Sequence, residues 1–196
     1  MNELKRICVF CGSSPGKDPR YTEAATAVGR ELGAGGIGLV YGGGNIGLMG
    51  SAADGALSVG GDVIGVIPEA LEGKELAHRG VTDLRVVRSM HERKAMMADL
   101  ADGFMALPGG FGTFEELCEI LTWGQLGIHR KPVAILNVAG YYDPLIEMFD
   151  RAVEARLLSE PNRGLVLVGT EIGELLKRMA MFDPGDSEKW LDRAMT

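Results

Sequence analysis

Seven short β-rich apolar runs alternate with helical patterns along the chain, and this alternation most limits the fold. The runs are nearly continuous Val, Ile and Leu, as expected for parallel strands that are covered on both faces. The predicted strands are residues 6–11, 37–41, 63–67, 84–87, 104–107, 133–137 and 165–168. The predicted helices are residues 21–32, 48–59, 91–100, 114–126, 144–154 and 171–181. The order predicts an α/β, Rossmann-like, doubly wound sheet of about seven mainly parallel strands, with helices on both faces.

Length and charge narrow the class of protein further. A chain of 196 residues, 46% of them hydrophobic, predicts a single domain over 1–196 with a polar tail at about 182–196. The net charge of −7 argues against a nucleic-acid polymer as ligand, because that ligand needs a basic footprint. No apolar run approaches the ~20 residues of a membrane helix, and the first residues lack the apolar segment of a signal peptide. We therefore expect a cytoplasmic protein with no membrane partner.

The three cysteines do not predict a redox or metal site. Cys8 and Cys11 spell C-x-x-C, but they fall in a predicted strand, where side chains three residues apart face opposite sides of the sheet. A redox pair sits at a helix N-terminus, and a zinc site needs two further ligands at suitable spacing. We interpret both residues as buried strand cysteines, and we predict neither a metal nor another cofactor.

In a doubly wound sheet, ligands bind beyond the carboxyl ends of the strands. Four of the first five predicted strands are followed by glycines, hydroxyls or charged residues, and the 68–82 connection is long and polar. We expect these segments to converge at one edge of the sheet. The substrate-binding residues predicted from these strand ends are Gly12, Ser13, Gly43, Met90 and Gly109.

The stretch "LPGGFGTFEE", residues 107–116, has two interpretations. As structure, Thr113 caps a helix that starts at Phe114, and Glu116 in its first turn closes a capping box. As chemistry, Gly109, Gly110 and Gly112 let backbone N–H groups point at an anion that the helix dipole also favours. The glycine-rich residues 42–50 likewise suit either a nucleotide loop or close helix–strand packing.

Arg93 and Lys94 favour the chemical interpretation. They lie in the predicted first turn of a helix, where the dipole disfavours cations, and such conflicts are expected at functional sites. Met90 and Met97 share their helix face, which suits a ligand with an anionic end and an apolar end. The alternative is that Arg93 and Lys94 simply form a basic helix face exposed to solvent, with no ligand. Because a cation would leave a helix N-terminus, replacing Arg93 by Ala is expected to leave the melting temperature unchanged or to raise it.

Four motifs carry a resemblance to a known family. The motifs "CGSS" at 11–14, "YGGG…GLMG" at 41–50, "MHERK" at 90–94 and "PGGFGTFEE" at 108–116 resemble those of the LOG (Lonely Guy) family. The resemblance continues through residues 121–145. Members of the family are cytokinin riboside 5′-monophosphate phosphoribohydrolases.

The resemblance implies a Rossmann-like homodimer that hydrolyses the N-glycosidic bond of an adenine-type nucleoside 5′-monophosphate. The products would be the free base and ribose 5-phosphate. The resemblance also implies that Arg93 and Glu116 are the catalytic pair. Further substrate-binding residues that it implies are Glu75, Lys94, Gly110, Phe111, Gly112, Thr113, Phe114, Glu115 and Thr122.

A mechanism follows from the pair. Glu116 would stabilise an oxocarbenium-like transition state and activate the attacking water, while Arg93 would act on either the phosphate or the leaving base. AMP and an N6-prenylated analogue are both possible substrates, and Met90 or Met97 would line a pocket for the prenyl group. The alternative function is a non-hydrolytic nucleotide-binding or carrier protein. Related sequences have been labelled lysine decarboxylases, but the sequence does not support the pyridoxal-phosphate lysine that this reaction needs.

Overall fold

The computed structural model describes residues 3–73 and 77–185 and contains a seven-stranded sheet. Each predicted strand boundary lies within one residue of the observed one. The strands are β1 (Arg6–Phe10), β2 (Gly38–Tyr41), β3 (Val63–Pro68), β4 (Asp83–Val87), β5 (Gly103–Ala106), β6 (Val133–Leu136) and β7 (Val166–Gly169). The α-helices are α1 (Pro19–Ala34), α2 (Gly47–Leu57), α3 (Glu69–Glu72), α4 (Met90–Leu100), α5 (Phe111–Gln125), α6 (Asp143–Glu154), α7 (Glu160–Arg163) and α8 (Ile172–Ala180).

The strand order is β4-β3-β2-β1-β5-β6-β7, and every neighbouring pair is parallel. The chain moves outward from β1 to β4, returns to place β5 beside β1, and then moves outward in the other direction. The predicted doubly wound fold is therefore confirmed. Its switch point, where ligands bind in such sheets, lies between β1 and β5.

Helices cover both faces of the sheet, as predicted. One apolar cluster packs α1, α2 and α8 against one face, and a second packs α4, α5 and α6 against the other. Cys11 belongs to the first cluster and Cys8 to the second, and both thiols are free and buried. The predicted burial of both residues is confirmed, but only Cys8 lies in a strand, since β1 ends at Phe10 and Cys11 follows it.

Part of the glycine-rich segment 42–50 is explained by packing. Gly47 has φ +62°, and a Cβ atom there would lie 2.3 Å from the Ser13 carbonyl carbon. A Cβ atom on Gly50 would lie 2.3 Å from the carbonyl oxygen of Asn45. Gly47 therefore allows α2 to start directly against the turn that follows β1, and Gly50 leaves room for the loop that leads into α2.

The start of α5 differs from the prediction. The helix begins at Phe111 with Gly110 as its N-cap and has no side-chain cap, so the predicted Thr113–Glu116 capping box is wrong. Thr113 lies inside the first turn, and Glu116, the sixth helical residue, lies in the second. Gly110 and Gly112 explain the misplaced start, because glycine has a low helix propensity and suggests a loop.

The start of α4, unlike that of α5, has a side-chain cap. Ser89 Oγ accepts a hydrogen bond from Glu92 N at 3.1 Å, and the Glu92 carboxylate accepts one from Arg88 N at 2.9 Å. Arg93 is the fourth residue of α4, at the end of its first turn, whereas Lys94 begins the second turn.

Some predictions fall on residues outside the described ranges. Glu75 is one of them, and so are residues 186–196 of the predicted polar tail. Among the described residues, no helix is both long and apolar enough to cross a membrane.

Candidate active site

Backbone hydrogen bonds join the segments that follow β1, β2 and β5 at the switch point of the sheet. Gly12, after β1, donates its N–H to the carbonyl of Pro108, after β5, at 3.0 Å. The Gly12 carbonyl accepts hydrogen bonds from Leu48 N at 3.0 Å and Met49 N at 3.3 Å, which caps the start of α2. The first turn of α5 has no side-chain cap. Its N–H groups are therefore placed to bind an anion at this edge.

A cavity of about 240 Å³ lies beside this junction and brings Arg93 and Glu116 together. The two residues come from different helices, α4 and α5, on the same face of the sheet. Eight of the predicted site residues line this cavity, namely Gly12, Ser13, Arg93, Gly110, Phe111, Gly112, Thr113 and Glu116. Cys11 and Met49 complete the lining.

Arg93 is a buried side chain and not part of a solvated basic face. It is 5% exposed, its Nε donates to the Val66 carbonyl at 3.0 Å, and its Nη2 donates to the Gly42 carbonyl at 2.8 Å. Its Nη1 lies 3.7 Å from the sulfur of Met90. Since a guanidinium has five N–H donors, these contacts fix its plane and leave donors for a ligand in the cavity.

The glycines of the α5 loop serve different purposes. A Cβ atom on Gly109 would lie 2.1 Å from Thr113 Oγ1, so packing requires glycine there. A Cβ atom on Gly110 or Gly112 would meet no atom within 4 Å. Packing does not explain these two glycines, and both line the cavity. They are instead suited to a ligand that approaches the backbone closely.

Lys94 is engaged with two carboxylates of α5. Its Nζ forms ion pairs with Glu115 and, at 2.9 Å, with Glu119. Burial alone lowers the pKa of Lys94, but hydrogen bonds to the two glutamates outweigh that effect and raise its pKa. A Schiff-base lysine needs a neutral amine, so the environment of Lys94 is the opposite of what a lysine decarboxylase would require.

Several predicted residues lie outside the lining of the cavity. Phe114 stacks on Tyr141 with ring centroids 6.4 Å apart. Thr122 lines a different cavity of about 290 Å³. Met97 is 1% exposed, so it is not available to line a prenyl pocket. Met90, Lys94, Gly109 and Glu115 adjoin the lining residues in sequence or contact them, but do not line the cavity themselves. Gly43 does not line it either and packs against β3.

A second cavity of about 330 Å³ adjoins the first and shares Gly12, Ser13 and Gly110 with it. Its wall includes Tyr21 and Tyr141, whose rings meet edge to face with centroids 5.6 Å apart. The Tyr141 hydroxyl donates to the carbonyl of Gly109. Sequence reasoning missed both tyrosines. Tyr141 follows β6, so the rule that ligands bind beyond strand ends identifies it once that strand is considered as well.

Cys11 lines the first cavity but remains a neutral thiol. Burial raises its pKa well above the usual value for a thiol, and the nearby charge of Glu116 raises it further. Because the thiolate is the nucleophilic form, Cys11 is a poor nucleophile here.

Fold and cavity together define a Rossmann-type α/β protein with a polar site at the switch point of its sheet. Within that class, the chain belongs to the LOG family. The sequence profile described as "Possible lysine decarboxylase" matches residues 49–179.

Curated relatives cover most of the chain. It is 48% identical to cytokinin riboside 5′-monophosphate phosphoribohydrolase LOG7 of Arabidopsis thaliana over 93% of this chain and 84% of that protein. Identity to LOG4 of the same species is 50%, over 93% and 85% of the two chains. Identity to the LOG protein of Oryza sativa subsp. japonica is 47%, over 93% and 76%.

Solved structures share the fold at lower identity. The Moco carrier protein of Chlamydomonas reinhardtii is 24% identical with a TM-score of 0.67, over 90% of this chain and 98% of that one. The molybdenum cofactor binding protein of Rippkaea orientalis is 21% identical with a TM-score of 0.66, over 90% and 96%. At these identities the similarity concerns the fold alone.

Proposed function

We propose that this protein hydrolyses the N-glycosidic bond of a cytokinin riboside 5′-monophosphate or of AMP, releasing the free base and ribose 5-phosphate. The observation that carries the proposal is the cavity that holds Arg93 and Glu116 beside the start of α5. Curated relatives at about half identity are named for this reaction, which supports the same substrate class.

The phosphate would bind at the first turn of α5. The N–H groups of this turn carry the partial positive charge of the helix dipole, and the turn has no side-chain cap. The absence of a Cβ atom on Gly110 and Gly112 lets phosphate oxygens approach the backbone. Thr113, which is 4% exposed and lines the cavity, would offer its hydroxyl group.

Glu116 would act at the anomeric carbon. As the C1′–N9 bond breaks, its electron pair leaves with the base and positive charge develops on the ribose ring. The carboxylate stabilises that charge and accepts a proton from the attacking water, whose oxygen bonds to C1′. The base leaves with one proton from solvent, and ribose 5-phosphate keeps the hydroxyl group.

Arg93 would supply a fixed positive charge. Its buried guanidinium is held by two backbone carbonyls, so it needs no reorganisation when the substrate binds. Its remaining donors would bind either the phosphate or the departing base.

The direct test is product analysis. The protein is incubated with AMP, with isopentenyladenosine 5′-monophosphate and with the matching riboside that lacks the phosphate. We expect free base and ribose 5-phosphate from at least one monophosphate, and much slower release from the riboside because the α5 turn then has no anion to bind. If no monophosphate releases its base, the protein is not a phosphoribohydrolase.

The rival function is a non-hydrolytic carrier of a nucleotide-like ligand. The carriers among the solved structures are 24% identical or less to this chain, whereas the phosphoribohydrolases are close to 50% identical. A carrier would bind AMP without consuming it. Calorimetric binding with no base release would therefore favour the carrier.

We propose that the protein is a homodimer that contacts its partner through α6 and the residues that follow. Met148 is 59% exposed and Leu157 is 85% exposed, and none of the residues of α6 itself is buried. A partner would cover this apolar surface. Sedimentation of the wild type should give twice the chain mass, and Leu157→Asp should shift the protein towards monomer. A monomeric wild type would contradict the proposal.

A cytoplasmic location also remains part of the proposal. All three cysteines are free, which suits a reducing compartment. Cell fractionation tests this directly.

A further inference from the structure

A short segment at residues 77–80 lies across the glycine loop that follows β2. Ala77 forms an isolated antiparallel bridge with Gly44. The backbone N–H of His78 donates to the carbonyl of Gly43 at 2.9 Å. This hydrogen bond is part of the bridge, and it ties the segment to the carbonyl of the loop residue Gly43.

The His78 side chain anchors this segment to α2. The imidazole is buried, with Nε2 3.0 Å from Asp54 Oδ1, while Nδ1 accepts a hydrogen bond from Gly80 N at 3.2 Å. Because Nδ1 accepts, Nε2 carries the ring proton and donates it to Asp54. Both ring nitrogens are engaged, so the ring has one orientation and one tautomer. We call His78, Asp54 and the bonds to Gly43 and Gly80 the histidine latch.

Arg93 contacts the same loop through the neighbouring residue, Gly42. The Gly42 carbonyl accepts the hydrogen bond from Arg93 Nη2 at 2.8 Å, and a Cβ atom on Gly42 would lie 1.9 Å from that nitrogen. Gly43 has φ +78° and sits so close to β3 that a Cβ atom would lie 3.0 Å from Ile67 Cβ. The carbonyl held by His78 and the carbonyl that holds Arg93 thus belong to consecutive residues.

We propose that His78 is a positioning residue for Arg93 and acts through the glycine loop. His78 does not line the cavity, so its effect passes through the Gly43 and Gly42 carbonyls. Releasing the latch lets the loop shift, and the guanidinium shifts with the carbonyl that it binds. A displacement of about 1 Å at a reacting group is enough to lower turnover by about 100-fold.

The proposed role of His78 rests on the proposed function, because turnover is one of the two quantities that the experiment measures. The second readout does not require activity. In protein labelled with ¹⁵N-arginine, the Arg93 Nε–H signal, assigned with Arg93→Lys, reports the bond to the Val66 carbonyl in the ligand-free state. If the wild type releases no base, the proposed function fails and this signal still tests the latch.

The experiment compares His78→Ala and Asp54→Ala with Arg79→Ala. Arg79 belongs to the same segment, but its ion pair with Glu72 is on the surface. We expect both latch variants to lower kcat about tenfold or more while KM changes less than about twofold. We also expect them to shift the Arg93 Nε–H signal and speed its exchange with water. His78→Gln, whose amide can still donate to Asp54, should recover part of the lost kcat.

The control variant should match the wild type in both readouts. Asp54 is largely exposed, so Asp54→Ala remains informative if His78→Ala does not fold. Folded latch variants with wild-type kcat and an unchanged Arg93 signal would overturn the proposal. An equal loss in Arg79→Ala would also overturn it, because the effect would then not be specific to the latch.

Discussion

At the scale of single residues, Arg93 combines a structural and a chemical role. Its buried guanidinium satisfies the carbonyls of Gly42 and Val66 and also lines the cavity. The sequence suggested a cation placed against a helix dipole, and the family resemblance implied a catalytic role for it. It did not show which carbonyls the side chain reaches, since those lie 51 and 27 residues away along the chain.

The burial of Arg93 reverses the stability expected from the sequence. Arg93→Ala leaves two backbone carbonyls without their charged donor, so we expect the free energy of unfolding to fall by about 1–3 kcal/mol. Urea denaturation measures this change, and Arg79→Ala is the control because its ion pair is exposed. An unchanged or raised stability would mean that the helix dipole outweighs these hydrogen bonds.

At the scale of secondary structure, the strands were easier to predict than the helix starts. Continuous Val, Ile and Leu runs mark buried parallel strands clearly, and every boundary was found within one residue. The start of α5 was misplaced by three residues because Gly110 and Gly112 suggest a loop. The four-residue helices α3 and α7 are too short to show a helical period.

Thr122 illustrates a different limit. The family resemblance implies a substrate contact, but the residue lines a cavity on α5 away from Arg93 and Glu116. Sequence motifs identify residue types and their order. They do not show which side of a helix faces which cavity, because that depends on how the helix packs on the sheet.

The start of α5 also provides a test of the phosphate site. Gly112 is the second residue of α5 and Gly173 is the second residue of α8, and neither position would clash with a Cβ atom. Ala is the better helix former by about 0.8–1 kcal/mol. We expect Gly112→Ala and Gly173→Ala both to keep or raise the melting temperature.

Only Gly112→Ala should lose activity, because only its methyl group would occupy the place proposed for the phosphate. Calorimetry and a base-release assay measure the two effects. A fully active Gly112→Ala variant would exclude close approach of the phosphate to this turn.

At the scale of the whole molecule, strand order explains why distant motifs meet. The chain reverses its direction across the sheet between β1 and β5, which puts Gly12 against Pro108. The sequence predicted this convergence because parallel strands end at one edge. It did not reveal Tyr21, since the second cavity exists only after α1 and the segment that follows β6 pack together.

The buried thiols of Cys8, in β1, and of Cys11, directly after it, predict how stability depends on pH. Burial raises the pKa of Cys8 and of Cys11. Above about pH 8.5 the unfolded chain loses thiol protons that the folded protein keeps, so the free energy of unfolding falls as the pH rises. Below that pH the two thiols have no effect. Each contributes a slope of up to about 1.4 kcal/mol per pH unit.

Denaturation between about pH 7.5 and 9.5 measures this slope. Cys8→Ala and Cys11→Ala should each flatten it, whereas Cys118→Ala, at an exposed position, should change it less. An equal slope in all four proteins would contradict the assignment to the buried thiols.

The role of Glu116 is tested most directly by the turnover of Glu116→Gln on a nucleoside monophosphate, with Glu119→Gln as the control. Glu119 lies one helical turn further along α5 and pairs with Lys94 outside the cavity lining. We expect Glu116→Gln to fold and to bind AMP but to release base at least ~100-fold more slowly, which is the typical effect of losing a general base. Glu119→Gln should keep turnover near that of the wild type. Wild-type turnover in Glu116→Gln would contradict the proposed mechanism.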